Sequence, residues 1–301
     1  MRKPFLKLID LLGAQKLECD VLFLGFGPIT HAFAKNLIGK GYKVAAVTER
    51  YVERDVKSEL SSDSFAILNW LSAIDQEITS ESTYIGWRQS PQNQPLGKDL
   101  IAWVKSSKME TGKLHHLSSA SVYDGDRDLF LESDYDFRIN KVEMNSKQEL
   151  EHLVQEIGQE KPSRFVNYRI SNVYGSGLNQ GFINESIHNI KNNQPIKLFK
   201  QVDLVRDYLL IDDLIEAFIR LRLNDFTDEK LNLSSSHGIA ISEIVSELQA
   251  LNSNDLKFIE VEAPTGILSR SVLSCERLEG IIPWKPMRVE ESLKLLMHDL
   301  I

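Results

Sequence analysis

Short apolar runs alternate along the chain with stretches whose apolar residues recur every three or four positions. Asp20-Val-Leu-Phe-Leu24 is the first unbroken apolar run, the pattern of a parallel strand buried on both faces. His31 to Ile38 follows with Ala32, Phe33, Leu37 and Ile38 at helical spacing, and Gly39 and Gly41 supply a stop. Tyr42 to Val47 is a second apolar strand. Further on, the pattern predicts a polar loop and a helix over Asp55 to Ile74. It predicts strands at Thr83 to Trp87, Lys113 to Ser121 and Arg164 to Ile170, with helices at Lys98 to Lys105 and Lys147 to Gly158. Strands alternating with helices point to an α/β fold with a doubly wound parallel sheet. Beyond Gly175 the pattern changes. Helices are expected at Phe182 to Ile190, Asp212 to Arg222 and Ser242 to Leu251, the last with a capping box at Ser242, and short strands at Ile196 to Phe199 and Leu231 to Leu233. This predicts a smaller second lobe.

The expected organisation is an N-terminal extension over 1–18, a nucleotide-binding domain over 19–175 and a smaller lobe over 176–301, from which segments can return to the first sheet. The extension reads as a short amphipathic helix with Phe5, Leu8, Ile9 and Leu12 on one face. Lys7 and Asp10 interrupt its apolar stretch, and no small-residue cleavage site follows, so it does not read as a signal peptide.

Composition narrows the function. The chain has 301 residues, 42% hydrophobic and 26% charged, which suits a folded globular protein and excludes disorder as a description of the whole. A net charge of -8 argues against a broad nucleic-acid surface. Cys19 and Cys275 lie far apart and form no CxxC, so a disulfide framework or metal ribbon is not expected and a reducing compartment is. No apolar run approaches the roughly 20 residues of a membrane helix. The expectation is a cytoplasmic protein with no nucleic-acid or membrane partner.

The chemistry begins at Gly25-Phe-Gly27-Pro28-Ile29-Thr30, between the first strand and its helix. Gly25 and Gly27 let the backbone approach a pyrophosphate, Pro28, Ile29 and Thr30 complete the turn, and the helix that follows offers an N-terminus that favours an anion. Thr30 replaces the third glycine of the usual fingerprint. The second strand ends at Thr48-Glu49-Arg50. Glu49 suits the ribose hydroxyls of NAD, whereas Thr48 and Arg50 favour the 2′-phosphate of NADP. Arg50 reads equally as a solvated loop charge. His115 and His116 are adjacent strand positions on opposite faces, so no metal site is expected there.

Five segments, in order, carry a more specific signal. They are Leu117-Ser-Ser-Ala-Ser-Val-Tyr-Asp-Gly125, Arg169-Ile-Ser-Asn172-Val-Tyr174-Gly175, Arg206-Asp207-Tyr-Leu-Leu-Ile-Asp212-Asp213, Leu231-Asn232-Leu233 followed by Ile241-Ser242-Glu243, and Arg270 followed by Gly280-Ile-Ile-Pro-Trp284-Lys-Pro286. Together they resemble the extended short-chain dehydrogenase/reductases of the NAD-dependent epimerase/dehydratase, nucleotide-sugar type. The resemblance runs from about Cys19 to the C-terminus and is poor between Arg50 and Thr111.

That resemblance implies an enzyme with NAD(P) in the first domain and a nucleoside-diphosphate sugar in the smaller lobe. It implies hydride transfer at a sugar carbon, a place in surface-polysaccharide precursor synthesis, and a homodimer through helices flanking the sheet. It assigns Ser119 to the substrate oxygen, Lys147 to the nicotinamide ribose, and Asn172, Arg206 and Arg270 to the phosphates or sugar. It places Tyr123 and Tyr174 near the nicotinamide, and Asp212 and Asp213 as structural acids at a helix start. The family's YxxxK motif is broken, since Glu143 stands where tyrosine is expected, four residues before Lys147. A carboxylate beside a lysine stays ionised at neutral pH and is a weak base for a sugar hydroxyl. Two readings follow. One is an NAD(P)-dependent oxidoreductase, epimerase or dehydratase with altered proton handling. The other is a catalytically impaired NAD(P)- or nucleotide-sugar-binding protein with a regulatory or assembly role.

Overall fold

A computed structural model describes residues 16–48, 60, 64–69, 73–74, 76–86, 102–125, 127–135, 146–160, 164–226, 230–253 and 255–298. The expected N-terminal helix, Glu49, Arg50, Trp87 and Glu143 lie outside these residues. The chain packs as two compact units, each drawn from several stretches. Unit 1 takes Met1–Ser118, Phe137–Tyr168 and Thr227–Glu229. Unit 2 takes Ser119–Asp136, Arg169–Phe226 and Lys230–Ile301.

Unit 1 is built on β1 (Lys16–Leu24), α1 (Pro28–Gly39), β2 (Val44–Thr48), β3 (Phe65–Asn69), β4 (Glu77–Ile85), β5 (Met109–Ser119), α2 (Ser146–Glu160) and β6 (Arg164–Ile170). Its strands run in the order β6-β5-β4-β1-β2-β3. β1 pairs in parallel with β2 and β4, β2 with β3, and β4 with β5. Residues 65–69 correct the helix expected there. They form a strand because Phe65–Asn69 pairs in register with Val44–Thr48, and cross-strand pairing outweighs the ambiguous periodicity of the four-residue apolar run Phe65 to Leu68. β4 begins at Glu77, before the strand predicted from Thr83, because its polar residues are buried with partners. Ser80 and Thr83, for example, join hydroxyls at 2.8 Å.

One sheet face buries Leu22, Leu24, Ile85 and Leu114 against Leu150, Val154 and Ile157 of α2. On another part of the sheet, register aligns Phe23 with Tyr84 and Tyr84 with His115. His115 stacks on Tyr84 at 4.4 Å and joins its Nδ1 to the Tyr168 hydroxyl at 3.0 Å. His116 instead joins its Nδ1 to Asn167 Oδ1 at 2.7 Å. The two imidazoles therefore have separate partners, as their alternation requires.

Unit 2 contains β7 (Asn172–Tyr174), α3 (Phe182–Lys191), β8 (Ile196–Phe199), β9 (Val205–Leu210), α4 (Ile211–Arg222), β10 (Lys230–Leu233), β11 (Gly238–Ala240), α5 (Ile241–Leu251), β12 (Phe258–Val261), β13 (Arg270–Ser271), α6 (Glu276–Glu279) and α7 (Val289–His298). β9 lies between β11 and β13 and also pairs with β7, while β8 and β12 form a separate parallel pair. β10 neighbours β6, whose last residues, Arg169 and Ile170, belong to unit 2. Within unit 2 the Ser171 N–H reaches the Leu233 carbonyl beside it at 3.0 Å. Asp212 and Asp213 fall in the first turn of α4, where their charge suits the helix dipole. The capping box expected at Ser242 is shifted. α5 starts at Ile241, and Glu243 reaches back to the Ala240 N–H at 2.8 Å, because Ser242 is engaged by the Asp203 carboxylate.

Asp207 on β9 is fully buried. It accepts the Ser235 N–H and hydroxyl at 2.9 and 2.7 Å, the Ser236 N–H at 3.1 Å and the Leu273 N–H at 3.3 Å. Burial raises its pKa to about 6, while these hydrogen bonds pull the other way. The folded state therefore holds this proton more tightly than the unfolded state, whose value is 3.8. The contribution is fully present below that unfolded value and is lost as pH rises through about 6. The unfolding free energy of the wild type, measured relative to Asp207→Asn, is expected to fall by up to about 3 kcal/mol between acidic and neutral pH. Paired urea melts measure it, and a difference that is constant or grows with pH contradicts the assignment.

Candidate functional site

In unit 1 the turn after β1 carries the anion-binding geometry. Gly25 has φ +86, a conformation costly for any side chain, and its N–H is fixed to the Val47 carbonyl at 2.9 Å. Gly27 is the extended N-cap of α1, and a Cβ added there would meet nothing within 4 Å, so its surface is open to a ligand. Pro28 sits at the first helical position, where its fixed φ favours helix entry. Thr30 Oγ1 accepts the Gly27 N–H at 2.8 Å and donates to the Gly27 carbonyl at 3.0 Å. A Cβ on Gly86 would lie 2.7 Å from Thr30 Cγ2. The close packing that a third glycine would permit is thus provided from the opposite side, by Gly86 against Thr30. Open glycine surface beside a helix N-terminus fits a dinucleotide pyrophosphate.

Thr48 closes β2 and is buried. Lys147 lies half-buried in the first turn of α2. One turn on, Glu151 accepts the Ser118 hydroxyl at 2.6 Å. His116 lies in the same electrostatic neighbourhood. Burial chiefly pushes its pKa down to about 4, Lys147 adds to that, and the Asn167 hydrogen bond and Glu151 oppose it.

In unit 2, Ser119 is half-buried at the end of β5, and its Oγ accepts the Ser121 N–H at 3.3 Å and the Ser121 hydroxyl at 3.1 Å. The segment it opens is held by Arg169, which is 0% exposed. Arg169 donates to the Tyr123 hydroxyl at 3.1 Å, the Glu132 carbonyl at 3.0 Å and the Tyr135 carbonyl at 3.1 Å. Its guanidinium carbon lies 5.0 Å from the Tyr123 ring centre and 5.3 Å from that of Tyr135. Tyr123 donates to Asn232 Oδ1 at 2.6 Å, and Glu132 accepts the Asn232 N–H at 2.9 Å. Tyr174 lies in the apolar core of unit 2, with its hydroxyl on Ser292. The hydroxyls of Tyr123 and Tyr174 are thus engaged by groups of unit 2 itself.

Unit 2 also encloses a cavity of about 980 Å³, walled by β7, α3, β8 and β9. Asn172, Arg206, Phe182, Phe199, Tyr208 and Leu198 all line it. Arg206 does not pair with Asp207, because adjacent strand residues face opposite sides. It donates through Nη1 to the Val205 and Ser269 carbonyls at 2.8 and 3.3 Å, and through Nη2 to the Leu268 carbonyl at 2.6 Å. A guanidinium has five N–H groups, so this one is fixed in place with donors to spare. Asn172 Nδ2 donates to the Asp207 carbonyl at 2.9 Å. Arg270 pairs across the sheet with Val205 and donates through Nε to the Asp128 carbonyl at 2.8 Å. It is not among the residues that line the cavity.

The structure thus brings Asn172 and Arg206 to one cavity, and Gly25, Gly27, Pro28, Ile29 and Thr30 to one turn. Lys147 belongs to unit 1 and Ser119 to unit 2. The sequence does not reveal the apolar walls, Phe182, Leu198, Phe199 and Tyr208, because apolar side chains that line a cavity and those that fill a core share one pattern. Among the described residues no group of three or more His, Cys, Asp or Glu side chains could hold a metal.

Residues 25–233 match the model of the NAD dependent epimerase/dehydratase family, more than half of the chain. A dTDP-4-dehydro-6-deoxyglucose reductase of Escherichia coli is 25% identical over 135 residues, 43% of this chain and 42% of the relative. An uncharacterized protein of Methanocaldococcus jannaschii is 23% identical over 208 residues, 64% of each chain. The chain therefore spans less than two thirds of the length of these curated relatives. Among solved structures, UDP-glucuronic acid 4-epimerase of Bacillus cereus, in complex with UDP-glucuronic acid and NAD, is 16% identical with a TM-score of 0.76, over 94% of this chain and 98% of that one. UDP-glucose 4-epimerase of Thermus thermophilus, in complex with NAD, is 18% identical with a TM-score of 0.76, over 94% and 99%. At these identities the likeness shows a shared fold.

Proposed function

Because the chain belongs to the NAD dependent epimerase/dehydratase family, we propose that it is an NAD(P)-dependent oxidoreductase, epimerase or dehydratase acting on a nucleoside-diphosphate sugar in surface-polysaccharide precursor synthesis. The observation that carries this reading is the unit 2 cavity, where Arg206 and Asn172 share a wall system with Phe182, Phe199 and Tyr208. A diphosphate calls for a fixed cation with planar donors, and a base calls for apolar and aromatic surface. The E. coli relative acts on a dTDP-sugar, and the two structural relatives are named for UDP-sugars.

In unit 1, Gly25 and Gly27 would admit the pyrophosphate, the Ile29 and Thr30 amides would bond it, and Lys147 would hold the nicotinamide ribose. Thr48 and Arg50 favour NADP over NAD. A bound dinucleotide supplies or accepts hydride. Ser119 would orient the reacting sugar oxygen. The second reading, a binding protein with impaired catalysis, is favoured by Glu143 in the tyrosine position.

Calorimetric titration of Arg206→Ala tests the assignment. Nucleoside-diphosphate affinity is expected to fall about 10- to 150-fold, the equivalent of one lost charge-assisted contact, while dinucleotide affinity is kept. Equal loss of both ligands, or loss of neither, contradicts it.

A further inference from the structure

We infer that this chain uses its dinucleotide as an exchangeable co-substrate, bound and released in each turnover, and does not retain it as a fixed prosthetic group. The inference rests on the dinucleotide reading above and deepens it. It comes from the donors at the start of α1. An α-helix leaves the N–H groups of its first four residues, counted from the N-cap, without helical partners, and those groups are what a bound pyrophosphate uses. Here they belong to Gly27, Pro28, Ile29 and Thr30, because the His31 N–H is the first to close a helical bond, on the Gly27 carbonyl at 2.8 Å. Pro28 has no N–H. The Gly27 N–H is spent on Thr30 Oγ1 at 2.8 Å. Two of the four donors remain.

The loss is built into the packing. Thr30 is held at both ends, its Oγ1 by the two Gly27 bonds and its Cγ2 against Gly86. Thr30 itself is only 2% exposed, so its hydroxyl cannot swing away without disturbing the helix–strand contact. A glycine at this position would have no hydroxyl to compete for the Gly27 N–H, and a non-proline residue at 28 would restore a donor. Each missing charge-assisted bond to the pyrophosphate is equivalent to about tenfold or more in affinity.

Weak retention has a chemical consequence. A reaction that takes hydride from the sugar and returns it leaves the dinucleotide unchanged and can keep it. A net reduction adds hydride to a sugar carbonyl carbon and a proton to its oxygen, converts the reduced dinucleotide to its oxidised form, and requires that form to leave. The donor count of α1 suits the second kind of turnover.

The experiment uses the full chain. Wild-type protein is loaded with NADH or NADPH, desalted, and assayed for retained dinucleotide by absorbance and mass spectrometry. Dissociation is followed by stopped-flow nucleotide fluorescence. The wild type is expected to lose its dinucleotide on desalting. Pro28→Ala and Thr30→Ala are expected to bind it about tenfold more tightly and release it more slowly, with melting temperatures reporting that both variants are folded. Stoichiometric dinucleotide that survives desalting in the wild type overturns the inference whether or not a variant folds, and leaves the dinucleotide reading standing. Folded variants that bind no more tightly also overturn it. A wild type that binds neither dinucleotide at any concentration overturns both readings together.

Discussion

Glu143→Tyr is expected to raise hydride transfer to or from nucleotide sugars by about 10²–10⁴-fold over the wild type, the range that a well-placed acid–base group contributes. A sugar hydroxyl is a poor acid, so its proton must leave as hydride departs. A phenol beside the Lys147 ammonium has its pKa drawn down toward neutrality and can both take and return that proton. A carboxylate beside the same ammonium stays ionised near pH 7 and cannot donate on the return step. The change should appear in turnover and leave nucleotide-sugar affinity nearly unaltered. Assays of both proteins over a panel of nucleotide sugars measure it. Robust wild-type turnover that Glu143→Gln abolishes would show that the carboxylate is a working base, and would remove the binding-protein reading.

Arg169→Met is expected to destabilise the protein by about 3–5 kcal/mol, with little change in the glycine turn of unit 1. The guanidinium is wholly buried, donates to two backbone carbonyls and one tyrosine hydroxyl, and lies against two aromatic rings. Methionine fills much of the volume but leaves the Glu132 and Tyr135 carbonyls without these donors, at about 1–3 kcal/mol each. The cation–π contacts are lost as well. Arg169→Lys keeps the charge but cannot reach three acceptors, so it should recover only part of the loss. Urea melts measure both variants. A loss below about 1 kcal/mol for the methionine variant would show that this network does not hold the segment from Ser119 to Tyr135.

Much of the sheet was legible in the sequence. Val21–Leu24 and Val44–Val47 are continuous apolar runs because both faces of a central parallel strand are buried. Arg164–Ile170 and Ile196–Phe199 fall where the pattern put them. Phe65–Asn69 did not, because its four apolar residues, Phe65 to Leu68, fit strand and helix equally until β2 is alongside. β9 reads in the sequence as a motif, Arg206 to Asp213, and not as a strand, because its alternation places one charge in the cavity wall at Arg206 and buries another on the opposite face at Asp207. The glycine turn was legible from Gly25 and Gly27, but the role of Thr30 was not. Its meaning depends on Gly86, which lies far along the chain and contacts it only in the fold. The cavity was half legible. Asn172 and Arg206 stand out as polar residues in apolar surroundings, whereas Phe182, Phe199 and Tyr208 look like core until the space between them is seen.

The most direct test of the central claim is a calorimetric titration of the wild-type protein with UDP-, dTDP- and GDP-sugars, alongside the matching sugar 1-phosphates and inorganic pyrophosphate. A cavity with a fixed arginine and aromatic walls predicts saturable binding of at least one nucleoside-diphosphate sugar, with affinity at least tenfold above that of its sugar 1-phosphate or of pyrophosphate, because base and diphosphate are both recognised. Normal dinucleotide binding with no response to any nucleotide sugar, or equal affinity for pyrophosphate alone, would contradict the account.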